Sequence, residues 1–197
     1  MKSFALTVRS AWGRAKAVED EQLEDAFGDW APVSVGALGS VMCPPGWELE
    51  GAAQDDAGVA LKAPDSSARL VVHAVIHNAL EADTDFAGRM QAAAERVMAH
   101  MIVKAGASEP EVNTIEGAAQ PILEIASEFF EDPEKPTVKV RQAHALAPLD
   151  AGAARIGVIA FSLMTPALLP EAASAEIAAG FRQSLRAAAA ALAAHSG

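Results

Sequence analysis

The stretch Ala153–Met164, AARIGVIAFSLM, decides the fold predicted for this chain. Successive side chains along a strand point to opposite faces of a sheet. Both alternating sets are mostly apolar in this stretch, so each face needs a covering layer. The pattern therefore predicts a central strand with helices on both sides of the sheet. One face carries Ile156, Val158, Ala160, Ser162 and Met164, and the other carries Arg155, Gly157, Ile159, Phe161 and Leu163.

Two helices are predicted to cover that strand. The clearer one spans residues 82–106, where apolar residues recur at helical spacing, Asp83 or Thr84 can cap the start, and Gly106 can close the end. The other is Ala-rich and spans about Glu171–Ala194. The apolar stripe of the first helix consists of Phe86, Met90, Ala94, Val97 and Met101.

Short strand-like runs separated by turns fill most of the remaining chain, which is typical of an antiparallel meander. The sequence therefore predicts an α+β fold, a mainly antiparallel sheet flanked by helices on both faces. This single domain would span residues 31–197 and follow a helical arm over residues 1–30. The strands are predicted in the glycine-interrupted run 33–42, around Trp47 and Leu49, and at Val59–Lys62, Leu70–His77, Glu111–Glu116, Ile122–Phe130 and Thr137–Leu146.

The composition limits which cellular compartments and which classes of partner are expected. The net charge of −11 over 197 residues argues against nucleic acid, because binding phosphates requires clustered Lys and Arg. The single cysteine, Cys43, cannot form an intramolecular disulfide, and beside two prolines it is interpreted as a small apolar residue. With neither a secretory leader nor an apolar run long enough to span a membrane, we expect a cytoplasmic protein without integral membrane insertion.

The N-terminal arm is a candidate partner-binding segment. Phe4, Val8 and Trp12 fall at positions i, i+4 and i+8, which places them on one helical face. Basic residues precede Val18 and acidic residues follow it, so contact with an anionic membrane surface is one interpretation. The favoured interpretation is that the aromatic stripe packs on the domain or on another subunit. We predict protein binding or self-association through this stripe.

Residues that could carry chemistry do not form a recognisable constellation. His73 and His77 share a strand face but lie about 13 Å apart, too far to bind one metal together. Glu124, Glu128, Glu131 and Asp132 are interpreted as a solvated acidic edge of the sheet. We therefore predict no catalytic residue, no cofactor and no metal. A pocket between the sheet and the helices, near Trp47, His73 and His77, is kept as a hypothesis.

Two short motifs give the chain a resemblance to a known family. Pro45, Gly46 and Trp47 follow the first strand, and Phe181, Ser184 and Leu185 form a Phe–x–x–Ser–Leu pattern in the last helix. With the order of elements over about residues 33–194, this resembles the Mog1/PsbP-like α/β/α sandwich, in particular small bacterial proteins of the DcrB type. The resemblance implies protein binding without common catalytic residues, since that family includes a GTPase-binding factor, photosystem subunits and chaperones for secreted toxins.

The leading functional hypothesis is a non-enzymatic, cytoplasmic protein-interaction or accessory module, which binds a protein partner or a second copy of itself. One alternative is a small-molecule or lipid-binding protein, or an enzyme, with a pocket between sheet and helices. A second alternative is a chaperone for a secreted effector, which is a special case of the leading hypothesis.

Overall fold

The structure is a computed structural model that describes residues 29–34, 40–50, 58–65, 67–78, 85–102, 106–115 and 120–194. Phe4, Val8 and Trp12 of the predicted arm therefore lie outside the described residues. The elements are β1 (Ala31–Ser34), β2 (Ser40–Cys43), β3 (Glu48–Leu49), β4 (Gly58–Lys62), β5 (Arg69–Asn78), α1 (Phe86–Ile102), β6 (Glu111–Ile115), β7 (Ile122–Phe130), β8 (Val138–Pro148), β9 (Arg155–Pro166) and α2 (Glu171–Ala194).

Within these residues, seven strands form one antiparallel sheet in the order β3-β4-β5-β9-β8-β7-β6. The predicted central strand is confirmed, because β9 is fourth in this order and pairs with β5 and β8 along nearly its whole length. The region before the sheet differs from the prediction. The run interrupted by glycines is divided into β1 and β2, which pair with each other as a separate two-stranded sheet.

The helix α2 packs on one face of the sheet, which we call the α2 face. Ile159, Phe161 and Leu163 of β9 point to this face and join one core cluster with Phe181 and Leu185 of α2. Trp30 and Trp47 both pack edge-on against Phe181, with ring centroids 5.1 Å and 5.2 Å from it. Large aromatic side chains therefore fill the space under α2, where the helix itself contributes many alanines.

The helix α1 packs on the opposite face, the α1 face. Met90, Val97 and Met101 of its apolar stripe form a second core cluster with Ile156 and Val158 of β9. The two alternating sets of β9 thus face different helices, as the sequence predicts, and the α+β architecture with a helix on each side is confirmed.

The ends of α1 differ from the expectation. Asp85 caps its start, since its Oδ1 accepts a hydrogen bond from the backbone N–H of Gly88 at 2.8 Å. The expected caps, Asp83 and Thr84, lie outside the described residues. The helix ends at Ile102, and Gly106 follows with a left-handed φ of 75°. Over the described ranges, no helix is both long and apolar enough to cross a membrane.

Candidate functional site

The α1 face of the sheet is covered over only part of its width. The main contacts of α1 with the sheet are to β7 and β8, and within the described residues neither β4 nor β5 is among the main contacts of a helix. Side chains of β4 and β5 that point to this face, and Ser162 and Met164 of β9, are therefore half-buried or exposed. We call this surface the open half-face: Ala60, Val71, His73, Val75, His77 and Met164.

Val75 is the most exposed apolar side chain of the open half-face. It is 39% exposed, although it pairs with Val158 of the central strand β9. Val72, three residues earlier on the same strand, points to the α2 face and is only 4% exposed. An exposed apolar residue within a paired strand is a feature of interaction surfaces when apolar neighbours surround it. The nearest residues of the open half-face on the same strand are His73 and His77, and Val71 with its paired residue Ala60 lies about 13 Å further along β5.

A group of histidines lies along the boundary between α1 and the open half-face. His73 and His144 both pair with Ala160, one from each side, and this small residue lets their rings meet edge to face with centroids 6.4 Å apart. Burial, and then the charges of His73 and His100, lower the pKa of His144 to about 4. The pKa of His77 is also lowered, by burial and then by the charges of Arg96 and His100.

His77 and His144, whose pKa values are lowered, are mainly neutral at pH 7. The charges that lower these pKa values belong to other basic side chains. In the part of the chain that the structure describes, no three side chains of His, Cys, Asp or Glu come together as metal ligands. The Nδ1 of His144 is buried without a hydrogen-bond partner among the described residues. Burial therefore disfavours the protonated forms of His77 and His144, and the described group does not have the geometry of a metal-ligand set.

The hypothetical pocket of Trp47, His73 and His77 is wrong. Trp47 belongs to the core of the α2 face, where it contacts Phe181. His73 and His77 alternate along β5 with Val72 and Ala74 of that core, and so point to the α1 face. The sheet separates the tryptophan from the two histidines.

The interpretation of Glu124 as part of a solvated acidic edge is also wrong. Its side chain is fully buried on the α2 face, between β7 and α2. Its Oε1 accepts hydrogen bonds from Nε of Arg182 at 3.1 Å and Nε of Arg186 at 3.2 Å. Its Oε2 accepts from the Nη2 atoms of the same two residues at 2.8 Å and 2.5 Å. One carboxylate therefore holds two guanidiniums.

The ionisation of Glu124 follows from these contacts. Burial alone raises the pKa of its carboxyl, but the hydrogen bonds and charges of Arg182 and Arg186 outweigh burial and lower it. The three groups carry one net positive charge. By contrast, Glu128 is 45% exposed and pairs at the surface with Lys139 at 3.0 Å and Arg141 at 3.4 Å. Glu131 and Asp132 are exposed, as expected of a solvated edge.

Next to this cluster a cleft of about 280 Å³ lies between α2 and strands β7 and β8. Ala126, Phe161 and Ala178 form its apolar floor, and Arg141 and Arg182 line its walls. Arg141 is held in place by Ser174, whose Oγ accepts from its Nη1 at 2.9 Å, and by Glu171. The small alanines of α2 leave this space open.

Arg182 and Arg186, the partners of the buried Glu124, are functional candidates that sequence reasoning missed. They lie four residues apart in an otherwise Ala-rich helix, which places them on one helical face. This spacing in the sequence was the available signal. It did not identify the acceptor, because Glu124 was interpreted as a surface residue of its strand.

Cys43 is the last residue of β2 and is fully buried. Burial raises the pKa of its thiol to about 12, so the thiolate required of a nucleophile is not populated near pH 7. This agrees with the interpretation of Cys43 as a small apolar residue.

The residues that carried the family resemblance lie together in the fold. Gly46 takes a left-handed φ of 79° in the turn before Trp47, and Trp47 contacts Phe181. The Oγ of Ser184 accepts a hydrogen bond from the backbone N–H of Met42 at 3.2 Å, and Leu185 is in the core. Residues of both motifs therefore hold the β2–β3 segment against α2, through the contact of Trp47 with Phe181 and the hydrogen bond of Ser184.

Comparisons with known proteins give structural similarity only. No protein-family model matches the sequence, and no curated protein matches it. The chain is similar to the solution structure of cyanobacterial PsbP (CyanoP) from Synechocystis sp. PCC 6803, with 12% identity over 74% of this chain and 84% of that chain and a TM-score of 0.44. It is also similar to a crystal structure from Bacteroides thetaiotaomicron VPI-5482, with 12% identity and a TM-score of 0.38, over 77% of this chain and 46% of that longer chain.

Proposed function

We propose that this protein is a non-enzymatic, cytoplasmic interaction or accessory module that binds a protein partner or a second copy of itself through the open half-face. The observation that carries the proposal is the 39% exposure of Val75 on β5, opposite Val158 of the central strand β9. Burial of apolar surface is the main favourable term in protein association, and this surface is available for it.

The chemistry of the open half-face favours an apolar segment as the part of the partner that binds. Ala60, Val71, Val75 and Met164 offer aliphatic or thioether contacts, and the half-buried ring of His73 lies on the same surface. An amphipathic helix with a row of apolar side chains fits such a surface beside α1. The family resemblance supports the same role, including the special case of a chaperone that shelters an apolar helix of a secreted effector.

The experiment that tests this proposal compares three forms of the full chain: wild type, Val75→Glu and Leu168→Glu. Leu168 is 97% exposed in the connection between β9 and α2, so its variant is a control for added charge away from the open half-face. We expect wild type and Leu168→Glu to retain the same stoichiometric partner, or the same dimer by sedimentation. We expect Val75→Glu to lose it while its circular dichroism stays unchanged.

The proposal is wrong if all three forms retain the same partner and the same mass in solution. The arm is tested separately, because Phe4, Val8 and Trp12 form an independent candidate surface. Deletion for that purpose should end at residue 28, since Trp30 packs on Phe181. Loss of the partner in the deletion but not in Val75→Glu assigns binding to the arm.

The second candidate is a small-molecule-binding protein. It is favoured by the cleft under α2, where apolar side chains, two arginines and three glutamates converge, since ligand sites combine an apolar lining with a few polar groups. This cleft is on the α2 face and not at the position predicted from sequence. A native mass spectrum that shows a retained ligand would support this candidate, and a spectrum of the bare chain would favour the first.

A further inference from the structure

The two edges of the seven-stranded sheet are built differently. At one edge, β3 has only two residues, Glu48–Leu49. At the other edge, β6 has five residues, and among the described residues it pairs with β7 alone. Four of the five residues of β6 are exposed, and the side chain of Val112 is 48% exposed.

An exposed edge strand presents backbone N–H and C=O groups that can pair with another strand. Natural sheets protect such edges by short length, charge, proline or a bulge. The edge at β3 is protected by its length. The sequence of β6 is Glu-Val-Asn-Thr-Ile, with one charge and three β-branched residues, and its register with β7 is continuous over all five pairs. Among the described residues, the edge at β6 carries only Pro110 before the strand and Glu111 at its start, and positions 112–115 have neither charge nor proline.

Both faces of β6 are accessible to an added strand. Val112 pairs with Ile125 and so points to the α1 face, whereas Glu111 pairs with Ala126 and points to the α2 face. Each helix has its main sheet contacts further in, on strands from β7 inward. A strand that pairs with β6 can therefore place side chains beside Val112 on one face and beside Glu111 on the other.

The charge around the start of β6 indicates which side chains the added strand should carry. Glu109 and Glu111 are exposed there, and the exposed acids Glu131, Asp132 and Glu134 lie in the neighbouring hairpin that joins β7 to β8. The backbone N–H of Ser108 donates to the carbonyl of Glu128 at 2.7 Å, which holds the acidic segment against β7. Such a surface attracts lysine and arginine, and the net charge of −11 opposes a second copy of the chain.

We propose that β6 is a strand-addition site for an extended, basic segment of a partner protein. The backbone of that segment pairs with Glu111–Ile115, and its lysine or arginine side chains lie against Glu109 and Glu111. This site is separate from the open half-face, so the outcome for Val75→Glu does not decide it.

The test uses the full chain and a short synthetic peptide of alternating lysine and valine. Hydrogen exchange is measured with and without peptide, and affinity is measured by fluorescence anisotropy. We expect the peptide to protect backbone amides within residues 111–115. Two control peptides are expected to give no protection: one N-methylated at alternate residues, which keeps the charge but cannot pair, and one with glutamate in place of lysine.

Two matched variants locate the charge contribution. Glu111→Lys is expected to weaken binding of the lysine–valine peptide about fivefold, because an attractive cross-strand pair becomes repulsive. Glu176→Lys makes the same charge change at an exposed position of α2 and is expected to change affinity less than about twofold. The proposal is overturned if the two variants weaken peptide binding equally, or if the N-methylated peptide binds as well as the unmodified one. Either result would mean that peptide binding depends on charge attraction alone. A dimer whose 111–115 amides are protected without peptide also overturns it, in favour of a second copy.

Discussion

The α2 face and the α1 face share strands β5, β7, β8 and β9, yet they differ in how completely a helix covers them. Under α2 the core runs from Leu61 and Val72 at one side to Ile122 at the other, and aromatic side chains fill the gaps. Under α1 the core is confined to β7, β8 and β9, and β4 and β5 carry the open half-face. Stability is thus concentrated on one face, and accessible apolar surface on the other.

Polar groups follow the same division. On the α2 face the buried carboxylate of Glu124 satisfies its oxygens with four hydrogen bonds to two arginines. On the α1 face the buried Nδ1 of His144 has no partner in the described part of the chain. Removing a partner of a hydrogen-bonded buried charge costs much stability, whereas a buried imidazole without a partner lowers stability when acid protonates it. The comparison therefore predicts different responses of the two faces to mutation and to acid.

The largest expected effect is on the α2 face. Replacing Glu124 by Gln leaves Arg182 and Arg186 without a counter-charge, and we expect the free energy of unfolding to fall by about 3 to 4 kcal/mol. The value lies in the lower part of the range for buried pairs because the arginine side chains are 29% and 44% exposed. Urea unfolding followed by circular dichroism measures it.

Glu128→Gln is the matched control for this substitution. Glu128 lies on the same strand and also pairs with two cations, but its side chain is 45% exposed, so we expect a loss below about 1 kcal/mol. Equal losses for the two variants would show that Glu124 contributes no more than a surface ion pair. Replacing all three members of the cluster with apolar residues of similar size should recover most of the loss, because no charge is then left buried.

Sequence reasoning succeeded where a single segment contained the whole signal. Both apolar sets of β9 and the bounds of α2 were predicted from their own periodicity, and the structure has them at Arg155–Pro166 and Glu171–Ala194. The prediction for Glu124 was wrong because alternation assigned this residue to the polar, solvated side of its strand. In the fold, α2 covers that side, and Arg182 and Arg186 of this helix pair with the carboxylate.

The prediction of a pocket near Trp47, His73 and His77 was wrong for a different physical reason. Alternation fixes which residues of one strand share a face, but it does not relate the faces of two strands until their register is known. Trp47 and His73 are in different segments, so their sequence positions could not show that the sheet lies between them. His144 was likewise not connected to His73, since their contact depends on the pairing of both strands with Ala160.

Acid should weaken the α1 face at a higher pH than the α2 face. The pKa of His144 is about 4 in the folded protein against 6.5 as its ordinary value, so the neutral form is favoured by folding. Its contribution is complete above pH 6.5 and is lost as the pH falls towards 4, by at most about 3 kcal/mol. The lowered pKa of His77 acts in the same direction. Glu124, whose pKa is lowered from 4.5, contributes only to losses below that pH.

The measurement is the free energy of unfolding at intervals between pH 7 and pH 4, for wild type and His144→Leu. We expect a decline in wild type that is much smaller in the variant, because Leu has no proton to bind. Parallel curves for the two proteins would contradict the assignment of the decline to His144.

The smallest expected effect separates the two faces within one strand. Val72→Thr and Val75→Thr are the same chemical change on β5, and both residue types are compatible with a strand. Val72 is 4% exposed on the α2 face, so a hydroxyl buried there should cost about 1.5 kcal/mol. Val75 is 39% exposed on the open half-face, where the hydroxyl reaches water and the change should stay below about 0.5 kcal/mol. Equal costs in urea unfolding would mean that the open half-face is covered in solution, and binding through Val75 would then require that cover to move.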